Sequence, residues 1–133
     1  MAGTTASLNL TNQEIDTSWD GIVIIDRVEG IPGGKTLNVT GFTPEVIRSG
    51  HLIIEETATG ILKPMPVSGS AYAALPASHT YKGINETTIL TAQPFSAIMV
   101  RGSVNEVAFV NSGGYATPSG AKTALTLIRF TKD

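Results

Sequence analysis

His51-Leu52-Ile53-Ile54, Ile61-Leu62-Lys63-Pro64, Tyr81-Lys82-Gly83-Ile84, Thr88-Ile89-Leu90 and Ala97-Ile98-Met99-Val100-Arg101-Gly102-Ser103-Val104 are short apolar runs within residues 50–106. Gly, Pro and Thr separate them, and the runs are too short and too β-branched for helices. A small, mainly β domain is predicted. Almost no side chain along the stretch is a nucleophile, an acid–base pair or a metal ligand, which points to binding or support rather than catalysis.

Outward from there, residues 51–57 and 61–66 read as two strands joined by Ala58-Thr59-Gly60. Ser68 to Ser78 reads as a loop of small residues, and further strands are predicted near 80–84, 88–92, 97–101 and 104–110. Asn111-Ser112-Gly113-Gly114 is a turn. Pro118 to Leu125 carries Ala121, Ala124 and Leu125 at helical spacing after a favourable proline, so a short helix is predicted there. Leu127 to Phe130 closes the chain as a strand.

Upstream, Gly21 to Val28 is the clearest strand, and Gly30-Ile31-Pro32-Gly33-Gly34 forces a turn. Thr36 to Thr40 alternates apolar and polar, so residues 21–40 are expected to form a hairpin. Phe42 to Gly50 is expected to hold one helical turn: Thr43 can cap it, Pro44 and Glu45 suit its start, and Gly50 falls where a helix ends. Residues 1–20 are polar, with Leu8, Leu10, Ile15 and Trp19 as apolar anchors, and read as an extended N-terminal arm. The expected organisation is that arm followed by one β-rich domain over 21–133.

A chain of 133 residues is long enough for one self-sufficient core. Charged residues make up 15%, well below the usual quarter, so Thr, Ser, Asn, Gly and small apolar groups must cover much of the surface. Such a surface suits a subunit embedded in an assembly. A formal charge of −2 supplies no basic footprint for nucleic acid or an anionic membrane. With no cysteine, disulfides and thiolate chemistry are excluded. The first seven residues lack the pattern of a secretory signal, and no apolar run approaches the length of a membrane span. A soluble protein not exported by a cleaved signal is therefore expected.

The reactive candidates fail one by one. Gly30 to Thr36 ends in Gly-Lys-Thr, but a phosphate-binding loop needs glycine where Glu29 stands, and the residues after Thr36 are β-like. His51 and His79 have no carboxylate or second histidine at ligand spacing, and His51 is expected to make a local hydrogen bond. Glu55 and Glu56 point to opposite faces of a strand. No serine stands in a Gly-x-Ser-x-Gly context. The Asn-x-Thr triplets at Asn9, Asn38 and Asn85 are what a Thr- and Asn-rich chain produces by chance. Trp19, Tyr72, Tyr81 and Tyr115 are scattered in sequence, so no stacking platform is read. No catalytic, cofactor-binding or metal-binding residue is predicted, and the chain is not expected to be an enzyme.

From Gly50 onward the order of motifs resembles that of phage capsid decoration proteins of the lambda head-stabilising type. The residues that carry it are Ser49 to Ile53, Thr59 to Pro64, Tyr81 to Ile84, Ala97 to Glu106, and Lys122 to Leu125 with Ile128-Arg129-Phe130. Head fibre or capsid auxiliary proteins of phages of gut Bacteroidales, crAss-like ones included, show a similar order. Residues 21–40 do not align with the pattern. The resemblance implies a barrel-like, β-tulip-like domain on the outside of the virion. It also implies a homotrimer bound to the major capsid protein at capsomer junctions. With it, Leu8, Leu10, Ile15 and Trp19 become the expected capsid contacts, since an extended arm can add a strand to a sheet edge. The first alternative is a head-fibre base whose loops at 68–78 and 111–119 attach to a receptor or glycan; those loops are poor in Trp, Tyr and Arg. The second is a β-barrel enzyme or ligand carrier, which needs a convergent polar pocket that the sequence does not name.

Overall fold

The computed structural model describes residues 15–132. A short helix, α1 (Asp20–Val23), leads into β1 (Ile24–Gly30). Two-residue pairings β2 (Lys35–Thr36) and β3 (Val46–Ile47) precede β4 (Leu52–Glu56) and β5 (Leu62–Pro64). A small hairpin of β6 (Val67–Ser68) and β7 (Ala71–Tyr72) is followed by β8 (His79–Asn85), β9 (Ile89–Leu90), β10 (Phe95–Ser96) and β11 (Ile98–Asn105). The chain ends with α2 (Glu106–Asn111), α3 (Ser119–Ala124) and β12 (Ile128–Thr131).

One six-stranded sheet organises the fold, in the order β1-β11-β8-β4-β5, with β12 also on β11. Its pairings are antiparallel except β11 with β12. Three two-stranded ladders, β2–β10, β3–β9 and β6–β7, surround it. The fold is mainly β, and among the described residues no sheet closes into a barrel. No helix among them is long and apolar enough to cross a membrane.

The central strands read as unbroken apolar runs because both faces of the sheet are covered. Leu52 and Ile54 of β4 enter one core with Met65, Ile84, Met99, Phe109 and Ala121. Ile53, between them, enters a second core with Leu37, Ile47, Leu62 and Ile98. The alternation Leu52/Ile53/Ile54 and Ile98/Met99 thus divides the buried side chains between two layers. Helices α2 and α3 contribute to the first layer, while the 31–47 segment covers the second.

Four expectations are corrected. The 21–40 hairpin does not form: β1 pairs with β11, and Lys35–Thr36 pairs with β10. The turn itself is present, with Gly33 and Gly34 at φ of 76° and 68°. It carries the chain across the sheet so that Leu37 and Val39 reach the second core, which a return along β1 would deny them. The helical turn at 42–50 is replaced by β3. There Val46 and Ile47 pair with Leu90 and Ile89, and Thr91 bonds both the Pro44 and Glu45 carbonyls. Gly50 is a close-packing point instead: a Cβ on it would lie 2.7 Å from both Phe109 and Val23. The strand expected over 104–110 ends at Asn105, whose side chain accepts from the Val107 and Ala108 N–H groups and starts α2. Finally, the first part of the expected 68–78 loop, through Tyr72, belongs to the β6–β7 hairpin that begins at Val67. The helix at 118–125 and the last strand stand where the sequence puts them, as α3 and β12.

Candidate interaction surface

Sequence pattern alone makes β1 part of a buried strand ahead of a turn; in the fold it is an exposed edge strand. Five of its seven residues are exposed, and its one neighbour in the sheet is β11. Its pairing with β11 slips between Ile24 and Asp26 and again between Arg27 and Glu29. The two residues left without a partner on β11 are therefore Ile25 and Val28. They are 50% and 54% exposed, and Ile22, three residues before Ile25, is 53% exposed. Large β-branched side chains at that exposure, three residues apart, mark an apolar row that the described fold leaves in water. Asp26, Arg27 and Glu29 interleave it with charge, which together with the bulges discourages open-ended strand pairing.

The row is held rigidly. Gly102 of β11 lets β1 approach, since a Cβ there would stand 2.3 Å from the Asp26 carbonyl oxygen. Arg27 pairs with Glu86, whose side chain is nearly buried. At the root of β1, the Asp20 carboxylate accepts from the Thr88 amide at 2.9 Å and from its hydroxyl at 2.6 Å. That hydroxyl in turn accepts from the Ser49 amide at 3.1 Å, and Ser49 donates to the Glu86 carbonyl at 2.6 Å. Segments distant in sequence are thereby tied at one point. Helix α1 also packs on α2, where Val107 and Val110 are 42% and 44% exposed beside a cavity of about 290 Å³.

The predicted capsid-contact residues fall unevenly. Trp19 is half-buried against the first core, and Ile15 is half-buried at the start of the described chain. Leu8 and Leu10 lie outside the described residues. Trp19 thus belongs to the domain's packing, and among the described residues the large apolar groups presented to solvent come after it in the chain. The signal for them is the run Ile22 to Val28 itself, which reads as core because β-branched residues are common in both settings.

The hydrogen bond of His51 is not the local one expected: Nε2–H donates to the Met65 carbonyl, 14 residues along the chain, at 2.9 Å. Its setting is not local. Phe42, Tyr72 and Tyr115 meet its ring edge-on at centroid distances of 5.4, 5.2 and 5.8 Å. Aromatic residues scattered in sequence are gathered here, but inside the protein. Burial pulls the imidazole down to about 4, partly offset by the Met65 bond. Tyr72 accepts from the Leu52 amide at 3.0 Å, and burial drives its phenol far above the ordinary range. Among the described residues no three His, Asp or Glu side chains converge as a metal site. Glu55 pairs with Lys82 at 3.3 Å and Glu56 accepts from Thr59, so the two carboxylates serve different neighbours. Comparison of the chain with protein-family models, curated proteins and solved structures finds no match.

Proposed function

We propose that the chain is a structural virion protein that binds the outside of an assembled phage capsid and stabilises the shell at capsomer junctions. The observation that carries this reading is the exposed apolar pair Ile25 and Val28 on a pinned edge strand, with exposed Ile22 just before it on α1. A rigid surface of this kind suits a partner that is itself fixed, and it offers apolar anchors of the sort that interfaces desolvate at their centre. The motif order from Gly50 onward supports the same reading. The major capsid protein as partner, a homotrimer on local threefold axes and the barrel-like, β-tulip-like class all belong to this proposal. No chemistry is assigned to the chain in this role.

The test is to mix purified protein with empty, expanded capsids and image them. Saturating density at local threefold positions is expected. The double substitution Ile25→Asp and Val28→Asp should lower occupancy at least about tenfold while leaving the fold intact, because both side chains are half in water already. Protein that stays free at saturating concentration, or a double variant that decorates as well as the parent, overturns the proposal.

A further inference from the structure

At the opposite end of the sheet from β1 lies a cavity of about 220 Å³. Phe42, Pro64, Pro66 and Pro76 supply flat apolar walls, and Lys63 and His79 stand at its polar side. The two meet because β5 and β8 flank β4: Ile54 lies opposite Lys63 on one side, and Glu56 lies opposite His79 on the other. They are 16 positions apart in the chain, so spacing could not join them.

The hydrogen bonds fix their chemistry. His79 Nδ1 is 2.8 Å from the Ala77 carbonyl, and only as N–H can it bond there. Nε2 then carries the lone pair and accepts from the Lys63 ammonium at 3.1 Å. Among the described residues the ion pairs are Arg27–Glu86, Lys82–Glu55, Lys122–Glu106 and Lys132–Glu106. Half-buried Lys63 is in none of them, and the Glu56 carboxylate is turned to the Thr59 hydroxyl. A cation beside an apolar cavity, bonded to a neutral nitrogen and lacking a counter-ion, is a charge awaiting a partner.

We propose that this pocket binds a carboxylate carried on a flat apolar body. The ammonium keeps two N–H donors beyond the one given to His79, enough for a charge-assisted bond to the anion. Apolar cavities of about 150 Å³ admit benzene, so this one holds an aromatic or prolyl ring with the acid at its mouth. The ring packs against Phe42 and the prolines while the carboxylate meets Lys63. A free aromatic acid and an acidic residue next to a proline in a protein segment present the same chemistry. The proposal does not rest on capsid binding, and either can fail without the other.

The experiment is an NMR titration of the full chain, following Phe42 and the His79 ring nitrogens. Benzoate, uncharged benzamide and the doubly capped dipeptide acetyl-Pro-Glu-amide are the probes. Benzoate should shift both residues saturably and bind at least about tenfold more tightly than benzamide, as one charge-assisted bond requires. A tighter dipeptide assigns the site to a protein segment; a tighter benzoate assigns it to a free acid. Lys63→Met keeps the apolar stem and should abolish the preference for benzoate, whereas Lys63→Arg should retain it. Equal binding of benzoate and benzamide, no shift at about 10 mM benzoate, or an undiminished preference in Lys63→Met overturns the proposal.

Discussion

His51 shows how one side chain can hold together parts of a β fold that no ladder joins. It stands just ahead of β4, yet its ring touches Phe42 from the segment before β3, Tyr72 from the small hairpin and Tyr115 from the link between α2 and α3. Neutral, it is an aromatic wedge with one donor satisfied by Met65. Protonated, it would be a buried cation ringed by aromatic side chains. Its value in the fold is about 4, below the 6.5 of the unfolded chain. Below pH 6.5 the unfolded chain therefore takes up a proton that the folded one refuses, and stability falls with pH until about 4. The loss is about 1.4 kcal/mol per pH unit and about 3 kcal/mol across the window. Denaturant unfolding at a series of pH values should show this slope in the parent. His51→Gln, which keeps an N–H donor near Nε2 without titrating, should lack it. Equal slopes in the two proteins would rule His51 out as the source. Sequence suggests only a local hydrogen bond and shows neither the Met65 partner nor the wedge, because Met65, Phe42 and Tyr115 are distant in the chain and only the folded sheet brings them to one ring.

At the scale of elements, the clearest lesson is α2. Val104, Val107, Phe109 and Val110 look like a strand, and β-branched residues do favour one. The outcome is decided at Asn105, whose side-chain oxygen takes the Val107 and Ala108 amides at 3.1 and 3.0 Å. Glu106 comes next, in the first helical turn, and pairs with Lys122 of α3 at 2.7 Å, fastening the two helices together. Asn105→Ala should cost about 1–2 kcal/mol, and Asn105→Asp should recover most of it, since a carboxylate also caps. Urea melts of the three proteins give the comparison; an alanine variant as stable as the parent would show that the cap does not set the boundary. The Asn-Glu signal is therefore present in the sequence and is outweighed there by composition. Apolar β4, and helix α3 with its leading proline, are legible for the opposite reason: local pattern and tertiary demand agree there. The β1–β11 pairing is not legible, because residues 24–30 and 98–105 are far apart and nothing local favours that edge over the nearer 36–40 segment.

For the whole molecule, the point at issue is where the domain begins, since the proposed shell-binding role divides labour between an arm and a body. The polarity of residues 1–20 suggests an arm ending at Asp20. The fold moves that limit toward the N-terminus: Trp19 packs on the first core and Asp20 closes the Thr88 and Ser49 network. Burying much of an indole contributes about 2 kcal/mol, and the two charge-assisted bonds of Asp20 about as much again. Two truncations separate the roles. A chain starting at Ile15 keeps both residues, while a chain starting at Gly21 loses both. A difference near 4 kcal/mol in a domain of this size corresponds to about 10 °C or more in Tm. Calorimetry should find that gap between the two truncated chains. Capsid decoration should be compared only between the parent and the chain starting at Ile15, because loss of binding in the shorter chain would report a damaged body. If the two truncations melt together, Trp19 and Asp20 belong to the arm after all. The apolar row on β1 would then lack the fixed root that suits it to a rigid partner.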